Sequence, residues 1–209
     1  MQFNVSDARH QKGRRGMARP VGVVLAGGQA RRMGGGDKAL VRLAGRPLLA
    51  HVMDRIGPQV AVLAVNANGD GARFGVEAPV LPDVVAHGMG PLAGILSAME
   101  WAAAQGSARV LTVAVDTPFL PADLVQTMVA VDAPVVLART DDGWQGTTGL
   151  WSVTLRGALR AALAGGTRKV TDWALEAGAV EARFAASTPP AFFNINTPDD
   201  LARADAWLA

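Results

Sequence analysis

The sequence contains no cysteine and no tyrosine among its 209 residues. Without cysteine, disulfide bonds, thiolate zinc sites, cysteine-ligated iron–sulfur clusters and a cysteine nucleophile are all excluded. Long apolar runs are also missing, since none reaches the roughly 20 residues that a helix needs to cross a bilayer. The basic N-terminus is not followed by a long apolar segment with a cleavage site, which argues against a secretory signal. We therefore expect a cytoplasmic protein that does not associate with membranes.

Lysine is scarce as well, because only Lys12, Lys38 and Lys169 carry an ammonium group and the other basic residues are arginine. With no cysteine or tyrosine to titrate, a formal net charge of only +2 gives a pI of about 9.7. The positive excess is local: residues 1–19 carry a net charge of +4, and the rest of the chain a net charge of −2. A nearly neutral body has no broad basic face, so we expect no nucleic-acid partner.

The chain is expected to divide at residue 19. Residues 1–19 are polar, basic and without periodicity, which predicts a disordered tail. Residues 20–209 alternate short apolar runs with amphipathic segments and are long enough for one domain with its own core. The runs at 21–26, 60–65 and 110–115 are continuous and apolar, as buried parallel strands are.

Helices are predicted between these strands. The clearest lies at Pro91–Ala104, where Pro91 suits the first helical position and Gly106 the C-terminal cap. Thr197 is predicted to cap a further helix that begins at Pro198. Buried strands alternating with helices predict an α/β fold, a single-domain, doubly wound and mainly parallel sheet of the Rossmann-like kind. Weaker patterns predict strands at 76–81, 135–139, 148–153, 180–184 and 191–194, and helices at 47–56, 123–131, 155–164 and 170–177.

Ligands of such sheets bind beyond the carboxyl ends of the strands. Four places follow predicted strands and carry polar or glycine residues: 26–38, 66–68, Asp83 and Asp116. We expect these places to meet at one edge of the sheet and to form the binding site.

A glycine-rich and arginine-rich segment, LAGGQARRMGGGDK, runs from Leu25 to Lys38 directly after the first strand. Glycine lets the main chain come close to a ligand. Successive backbone N–H groups, here those from Ala26 to Gly28, can hold phosphate oxygens. Arg31, Arg32 and Lys38 add positive charge that suits phosphate. The segment therefore predicts a polyphosphate site.

Two common phosphate-binding patterns do not account for this segment. The P-loop needs Gly-Lys followed by Ser or Thr, whereas Lys38 follows Asp37 and precedes Ala39. The dinucleotide pattern is met at Gly34, Gly36 and Ala39, but it follows Arg-Arg-Met instead of a strand end. We interpret that match as chance.

The segment resembles the nucleotide-binding loop of the nucleotidyltransferases in its pattern LAGGxxxRMGGxDK. Further motifs follow, and the whole set is most similar to the molybdenum cofactor guanylyltransferases, a family of MobA-like nucleotidyltransferases. These motifs are Asn-Ala-Asn at 66–68, Gly-Pro-Leu-Ala-Gly at 90–94, Asp-Thr-Pro at 116–118 and Asn-Ile-Asn-Thr-Pro-Asp-Asp-Leu at 194–201. The resemblance covers the chain from residue 20 to residue 205.

The resemblance implies an enzyme that transfers GMP from GTP to the phosphate of molybdenum-bound molybdopterin and releases diphosphate. The product is the molybdenum guanine dinucleotide cofactor. GTP and molybdopterin are the implied partners, with molybdopterin-inserting proteins and apo-molybdoenzymes as candidate protein partners. Asp116 is expected to hold Mg²⁺, with Mn²⁺ as an alternative, and to act in catalysis with Lys38, Arg31 and Arg32. The family's GTP contacts fall on Leu25, Ala26, Gly27, Lys38, Asn66, Asp83 and Asp116. Gly28 is a further expected contact, because its backbone N–H can hold a phosphate oxygen.

Several interpretations stay open on sequence alone. Either Asn66 or Asp83 could read guanine. Asn194 and Asn196 are possible pterin-side or metal contacts, or they only end a strand and precede a helix cap. The family often has His-Pro-Thr where residues 145–147 read Gln-Gly-Thr, which puts a role of that loop in pterin binding in doubt. Alternative functions are a related nucleotidyltransferase that uses CTP or a sugar-phosphate acceptor, and a non-catalytic nucleotide-binding maturation factor.

Overall fold

Alternating strands and helices build a seven-stranded sheet in the structure, a computed structural model that describes residues 19–28, 35–85 and 89–209. The predicted tail lies almost wholly outside these residues. In chain order the strands are β1 (Val21–Leu25), β2 (Arg42–Leu43), β3 (Arg46–Pro47), β4 (Leu63–Asn66), β5 (Val80–Leu81), β6 (Arg109–Ala114), β7 (Val135–Thr140), β8 (Gly143–Ser152) and β9 (Ala179–Arg183).

The sheet has the strand order β5-β4-β1-β6-β8-β7-β9. All neighbouring pairs are parallel except those of β8, which runs antiparallel to both β6 and β7. The strands β2 and β3 form a separate antiparallel hairpin. The predicted mainly parallel sheet is therefore confirmed, and β8 is inserted against the common direction.

Helices cover both faces of this sheet. They are α1 (Leu48–Ile56), α2 (Pro91–Ala104), α3 (Leu124–Val129), α4 (Arg156–Ala164), α5 (Val170–Glu176) and α6 (Pro198–Ala206). Side chains of α1 and α3 pack in one core cluster, and those of α2, α4 and α5 pack in another. Along β1, Val23 faces the second cluster and Val24 the first, as the two-residue period of a strand requires. Such burial on both faces explains why the parallel strands read as continuous apolar runs.

A third, smaller cluster ties α6 to the hairpin of β2 and β3. Leu43, Phe119 and Ile195 are buried in it. The ring of Trp207 meets Phe119 edge-on at 5.6 Å between centroids and Phe193 at 4.9 Å. The C-terminal helix is therefore held by aromatic packing at Phe119 and Phe193, in the cluster that also contains Leu43 of the hairpin.

The predicted bounds of helices were confirmed most closely where capping residues mark the helix ends. The helix at Pro91–Ala104 has the predicted bounds, and Thr197 caps α6 in a reciprocal capping box with Asp200. The predicted strand at 76–81 shortens to Val80–Leu81, the two residues that pair with Val65 and Asn66 of β4.

The predicted strand at 191–194 was wrong. Phe193 closes a turn by donating its N–H to Pro190, and the neighbouring aromatic rings enter different clusters. The apolar run there reflects packing into two cores and not strand pairing. Among the ranges that the structure describes, no helix combines the length and the apolar character needed to cross a membrane.

Candidate active site

A cleft of about 470 Å³ opens at the carboxyl ends of β1, β4 and β6. Its volume lies within the roughly 300–1,000 Å³ usual for small-molecule sites. Parallel strands bring their carboxyl ends to one edge, so residues far apart in sequence meet there. The lining includes Leu25, Gly27, Gly28, Lys38, Asn66, Asn68, Asp83, Gly90, Pro91, Gly94, Asp116 and Thr147.

The loop after β1 begins and ends in this cleft. Ala26 is buried and donates its N–H to the Asn66 carbonyl at 2.8 Å, which continues the pairing of β1 with β4. Gly27 and Gly28 are exposed to the cleft, and the Gly28 carbonyl accepts from the N–H of Lys38 at 3.2 Å. The two ends of the loop therefore lie side by side. Arg31 and Arg32, which the sequence predicted as catalytic, lie outside the described residues.

Lys38 lines the cleft and is largely buried. Its side chain is only 10% exposed, and its Nζ lies 2.5 Å from Asp116 Oδ2 and donates to Asn196 Oδ1 at 2.5 Å. A buried ammonium group needs such acceptors, because removal from water costs several kcal/mol if it stays unpaired. Lys38 therefore joins three segments of the chain, the glycine-rich loop, the end of β6 and the entry to α6.

Asp116 is fixed by the main chain as well as by Lys38. The residue before it, Val115, donates its N–H to the Leu25 carbonyl at 3.1 Å, and the Asp116 carbonyl accepts from Ile195 at 2.9 Å. The amide of Asn194 faces both carboxylate oxygens. With its nitrogen toward them, Nδ2 donates to Oδ2 at 2.6 Å and to Oδ1 at 2.8 Å. The carboxylate thus lies between an ammonium group and an amide.

A second polar cluster lies in the cleft at the carboxyl ends of β4 and β5. Asn66 is 4% exposed, and its Nδ2 donates to the Leu81 carbonyl at 3.0 Å and to Asp83 Oδ1 at 3.1 Å. Asn68 donates to Asp83 Oδ2 at 2.8 Å and accepts from the Asp83 N–H at 2.9 Å. The Asp83 carboxylate is held on both oxygens, yet its residue is less buried than Asn66. It is the more accessible acceptor of the two.

Helix α2 approaches this cluster without room for a side chain. A Cβ on Gly94 would lie 2.3 Å from Asn66 Oδ1, so glycine is required by the close approach. The helix begins after Gly90, whose φ of 73° suits glycine, and Gly90, Pro91 and Gly94 all line the cleft. The first turn of this 14-residue helix therefore points its partial positive charge at the cleft, which favours an anionic ligand.

Thr147 also lines the cleft. The sequence pointed to this loop only because residues 145–147 read Gln-Gly-Thr where the family often has His-Pro-Thr. The pairing of β7 with β8 shifts between Leu137 and Ala138, and residues 146–148 bulge out at this point. The Thr147 carbonyl accepts from Thr112 Oγ1 at 2.9 Å, and Thr112 in turn accepts from the Trp151 indole at 2.8 Å. The bulge is thus anchored from the buried centre of the sheet.

The entry to α6 carries a strongly stabilised carboxylate. Hydrogen bonds lower the pKa of Asp200 to about 2 from an ordinary 3.8, the largest effect coming from the backbone N–H of Asn196. The Asp200 side chain is 16% exposed. A helix that begins at Pro198 has Asp200 in its first turn, but no sequence pattern places Asp200 near Lys38.

The side chains of the cleft suit a hard cation that takes few of its ligands from the protein. In the part of the chain that the structure describes, no three His, Cys, Asp or Glu side chains gather as a metal cluster. Asp116 supplies one carboxylate beside the Asn194 amide. Mg²⁺ is commonly held by one or two carboxylates, with water and substrate phosphates as the remaining ligands.

A doubly wound sheet with a polar cleft at its carboxyl edge defines the class of nucleotide-binding α/β proteins. The family model that matches the chain is the MobA-like NTP transferase domain, over residues 22–179. The protein is therefore a nucleotidyltransferase. A molybdenum cofactor guanylyltransferase of Cereibacter sphaeroides is 46% identical over 189 residues, which cover 90% of this chain and 96% of the relative. The chain belongs to the molybdenum cofactor guanylyltransferase family.

Solved structures show the same fold. The molybdopterin-guanine dinucleotide biosynthesis protein A of Archaeoglobus fulgidus is similar with a TM-score of 0.70 and 23% identity, over 89% of this chain and 97% of that one. Rv0371C of Mycobacterium tuberculosis, solved in complex with manganese, is similar with a TM-score of 0.62 and 18% identity, over 90% and 99%. At these identities the likeness concerns the fold.

Proposed function

We propose that the protein transfers GMP from GTP to the terminal phosphate of molybdenum-bound molybdopterin, which forms the guanine dinucleotide cofactor and releases diphosphate. The observation that carries this proposal is the buried pair of Lys38 and Asp116, 2.5 Å apart, beside the glycine-rich loop. The name of the 46% identical relative supports the choice of nucleotide and acceptor.

The reaction needs little covalent chemistry from the protein. An oxygen of the acceptor phosphate bonds to the α-phosphorus of GTP, and the bond from that phosphorus to the oxygen bridging the β-phosphate breaks. Positioning and charge stabilisation supply most of the catalysis in such transfers. We assign charge neutralisation to Lys38, together with Arg31 and Arg32, and phosphate binding to the N–H groups from Ala26 to Gly28.

The family generally uses a divalent metal, and we assign Mg²⁺ to Asp116. A carboxylate oxygen is a ligand that a hard cation prefers, and the Asn194 amide, whose nitrogen donates to both Asp116 oxygens, holds that carboxylate in place. When bound, Mg²⁺ neutralises charge on the phosphates of the substrate and the leaving diphosphate. Lys38 and Asn196 keep the carboxylate end of this arrangement in place.

For the nucleoside end we assign guanine recognition to Asp83. Guanine presents donors at N1 and N2, and a carboxylate with both oxygens fixed by Asn66 and Asn68 is a rigid acceptor for them. Asn66, being buried, serves mainly to hold Asp83. Asp83→Asn should lower the preference for GTP over ATP, measured as the ratio of their kcat/KM values.

The same residues allow a related reaction with CTP, or nucleotide binding without turnover in a maturation factor. Incubation with molybdopterin, Mg²⁺ and either GTP or CTP separates these functions, with diphosphate release and dinucleotide mass as the measurements. We expect turnover with GTP. Turnover with CTP alone would exclude the guanylyl transfer, and GTP binding without diphosphate release would favour the maturation factor. The same product would be offered to molybdopterin-inserting proteins and apo-molybdoenzymes.

A further inference from the structure

Asn196, whose side chain holds Lys38 from the α6 side, has its own main chain held by a carboxylate. Asn196 Oδ1 accepts from Lys38 Nζ at 2.5 Å, and the backbone N–H of Asn196 donates to Asp200 Oδ2 at 3.0 Å. The same Oδ2 accepts from the Thr197 N–H at 2.9 Å. One carboxylate oxygen therefore fixes two consecutive peptide units directly before α6.

We infer that Asp200 is a positioning residue for Lys38: its carboxylate fixes the main chain of Asn196, and thereby the amide oxygen that holds the Lys38 ammonium group. The inference rests on the proposed function for its effect on turnover. Its effect on the position of Lys38 does not depend on that function.

The Asp200 carboxylate is well placed for this task because it is fixed from the other side too. Its Oδ1 accepts from Arg203 Nη2 at 2.5 Å, and the Arg203 guanidinium lies 5.0 Å over the ring of Phe193. Phe193 packs against Trp207 in the third cluster. A carboxylate bound on both oxygens has little freedom, so the peptide units that it holds have little freedom either.

The capping box itself offers a way to separate positioning from helix stability. Thr197 Oγ1 accepts from the Asp200 N–H at 3.1 Å, so Thr197→Ala removes the other half of the box. That variant loses a helix cap but leaves the acceptor of the Asn196 N–H in place. If Asp200 affected Lys38 only by stabilising α6, the loss of the cap in Thr197→Ala would also raise Lys38 acetylation and lower kcat.

The scarcity of lysine provides a readout that needs no substrate. Lys38 is one of three lysines, and its side chain is 10% exposed, whereas that of Lys169 is 80% exposed. Acetylation by dilute acetic anhydride, followed by peptide mass spectrometry, gives the modification rate of Lys38 relative to Lys169 in the same tube. A lysine that loses its acceptor spends more time accessible and reacts faster.

The experiment compares the full chain with Asp200→Ala, Asp200→Asn, Thr197→Ala and Asp199→Ala. We expect Asp200→Ala to raise the relative acetylation rate of Lys38 and to lower kcat for diphosphate release about tenfold, the value of one hydrogen bond to a charged group. Asp200→Asn keeps an oxygen that can accept from Asn196 and should restore kcat to within about twofold. Thr197→Ala should also lower the Tm, through the lost helix cap, yet leave kcat and Lys38 acetylation unchanged. Asp199→Ala, at an exposed neighbouring position, should change none of these.

Wild-type Lys38 acetylation in Asp200→Ala would overturn the inference, as would equal losses of kcat in Asp200→Ala and Thr197→Ala. If Asp200→Ala does not fold, Asp200→Ser takes its place, because a hydroxyl on the shorter side chain does not reach the Asn196 N–H. An absence of GTP turnover in the unmodified protein would count against the proposed function, and the acetylation rates would still decide the role of Asp200.

Discussion

Substitution of Gly94 by alanine tests whether α2 positions the nucleoside end of the cleft through Asn66. The new Cβ would lie 2.3 Å from Asn66 Oδ1 and 3.0 Å from Leu25 Cδ2, so the Asn66 side chain must move. Its two hydrogen bonds, to the Leu81 carbonyl and to Asp83, would be lost or distorted. At about 0.5–1.5 kcal/mol each, their loss amounts to about 1–3 kcal/mol, or about 5- to 150-fold in kcat/KM for GTP.

The effect on stability should be smaller than the effect on activity. Alanine favours a helix over glycine by about 1 kcal/mol, which offsets part of the loss around Asn66. The matched control is Gly157→Ala in α4, where a Cβ has open space. We expect that control to raise the Tm slightly and to leave kcat/KM unchanged.

A double-mutant cycle decides whether Gly94 acts through Asn66. If it does, Gly94→Ala combined with Asn66→Ala should cost little more than Asn66→Ala alone, because the same contacts are already gone. The measurements are diphosphate release with molybdopterin and GTP, and GTP binding by calorimetry. Wild-type kcat/KM in folded Gly94→Ala, or full additivity in the cycle, would refute the reasoning.

Three further predictions concern the Asp116 carboxylate, the centre of the sheet and the entry to α6. Asp116→Ala should lower Mg²⁺-dependent diphosphate release by about 10² or more, and wild-type turnover would remove Asp116 from the mechanism. Thr112→Val leaves the Trp151 indole and the Thr147 carbonyl without a partner and should cost about 2–4 kcal/mol in urea unfolding; an unchanged midpoint would contradict that. The lowered pKa of Asp200 stabilises the fold above pH 3.8, and this contribution is lost as the pH falls toward about 2. The Tm difference between wild type and Asp200→Asn should therefore be constant from pH 7 to 5 and narrow at pH 3, and a constant difference at pH 3 would exclude this linkage.

The elements that sequence predicts best have their reasons in local chemistry. Pro91 and the glycine at 106 mark α2, and Thr197 with Asp200 marks the start of α6. The short strands depend on their partners instead. Only Val80 and Leu81 pair with β4, and the chain at 191–194 is apolar because its side chains pack into two core clusters. A local sequence pattern does not show which strand a segment pairs with or which core cluster its side chains enter.

The residues of the candidate site also fall into two groups, those that the sequence predicts and those that depend on tertiary packing. Asp116, Lys38, Asn66 and Asp83 follow strand ends in sequence, so their meeting at one edge follows from parallel topology. Parallel topology does not predict which side chains hydrogen-bond to these residues. That Asn196 reaches Lys38, and that Asp200 holds Asn196, depends on how α6 docks against the hairpin, which is decided by aromatic packing at Phe119 and Trp207.

The hydrogen bond between Lys38 and Asn196 spans 158 positions of sequence. All seven strands of the sheet end by Arg183, before the segment that contributes Asn194 and Asn196 has begun. Contacts of such long range form late, because the chain entropy of closing the loop must first be offset by other contacts. During synthesis the sheet can therefore be complete while Lys38 and Asp116 still lack their amide partners. We therefore expect the site to be completed only when α6 docks, and a chain cut after residue 190 to keep the architecture of the sheet without the assembled site.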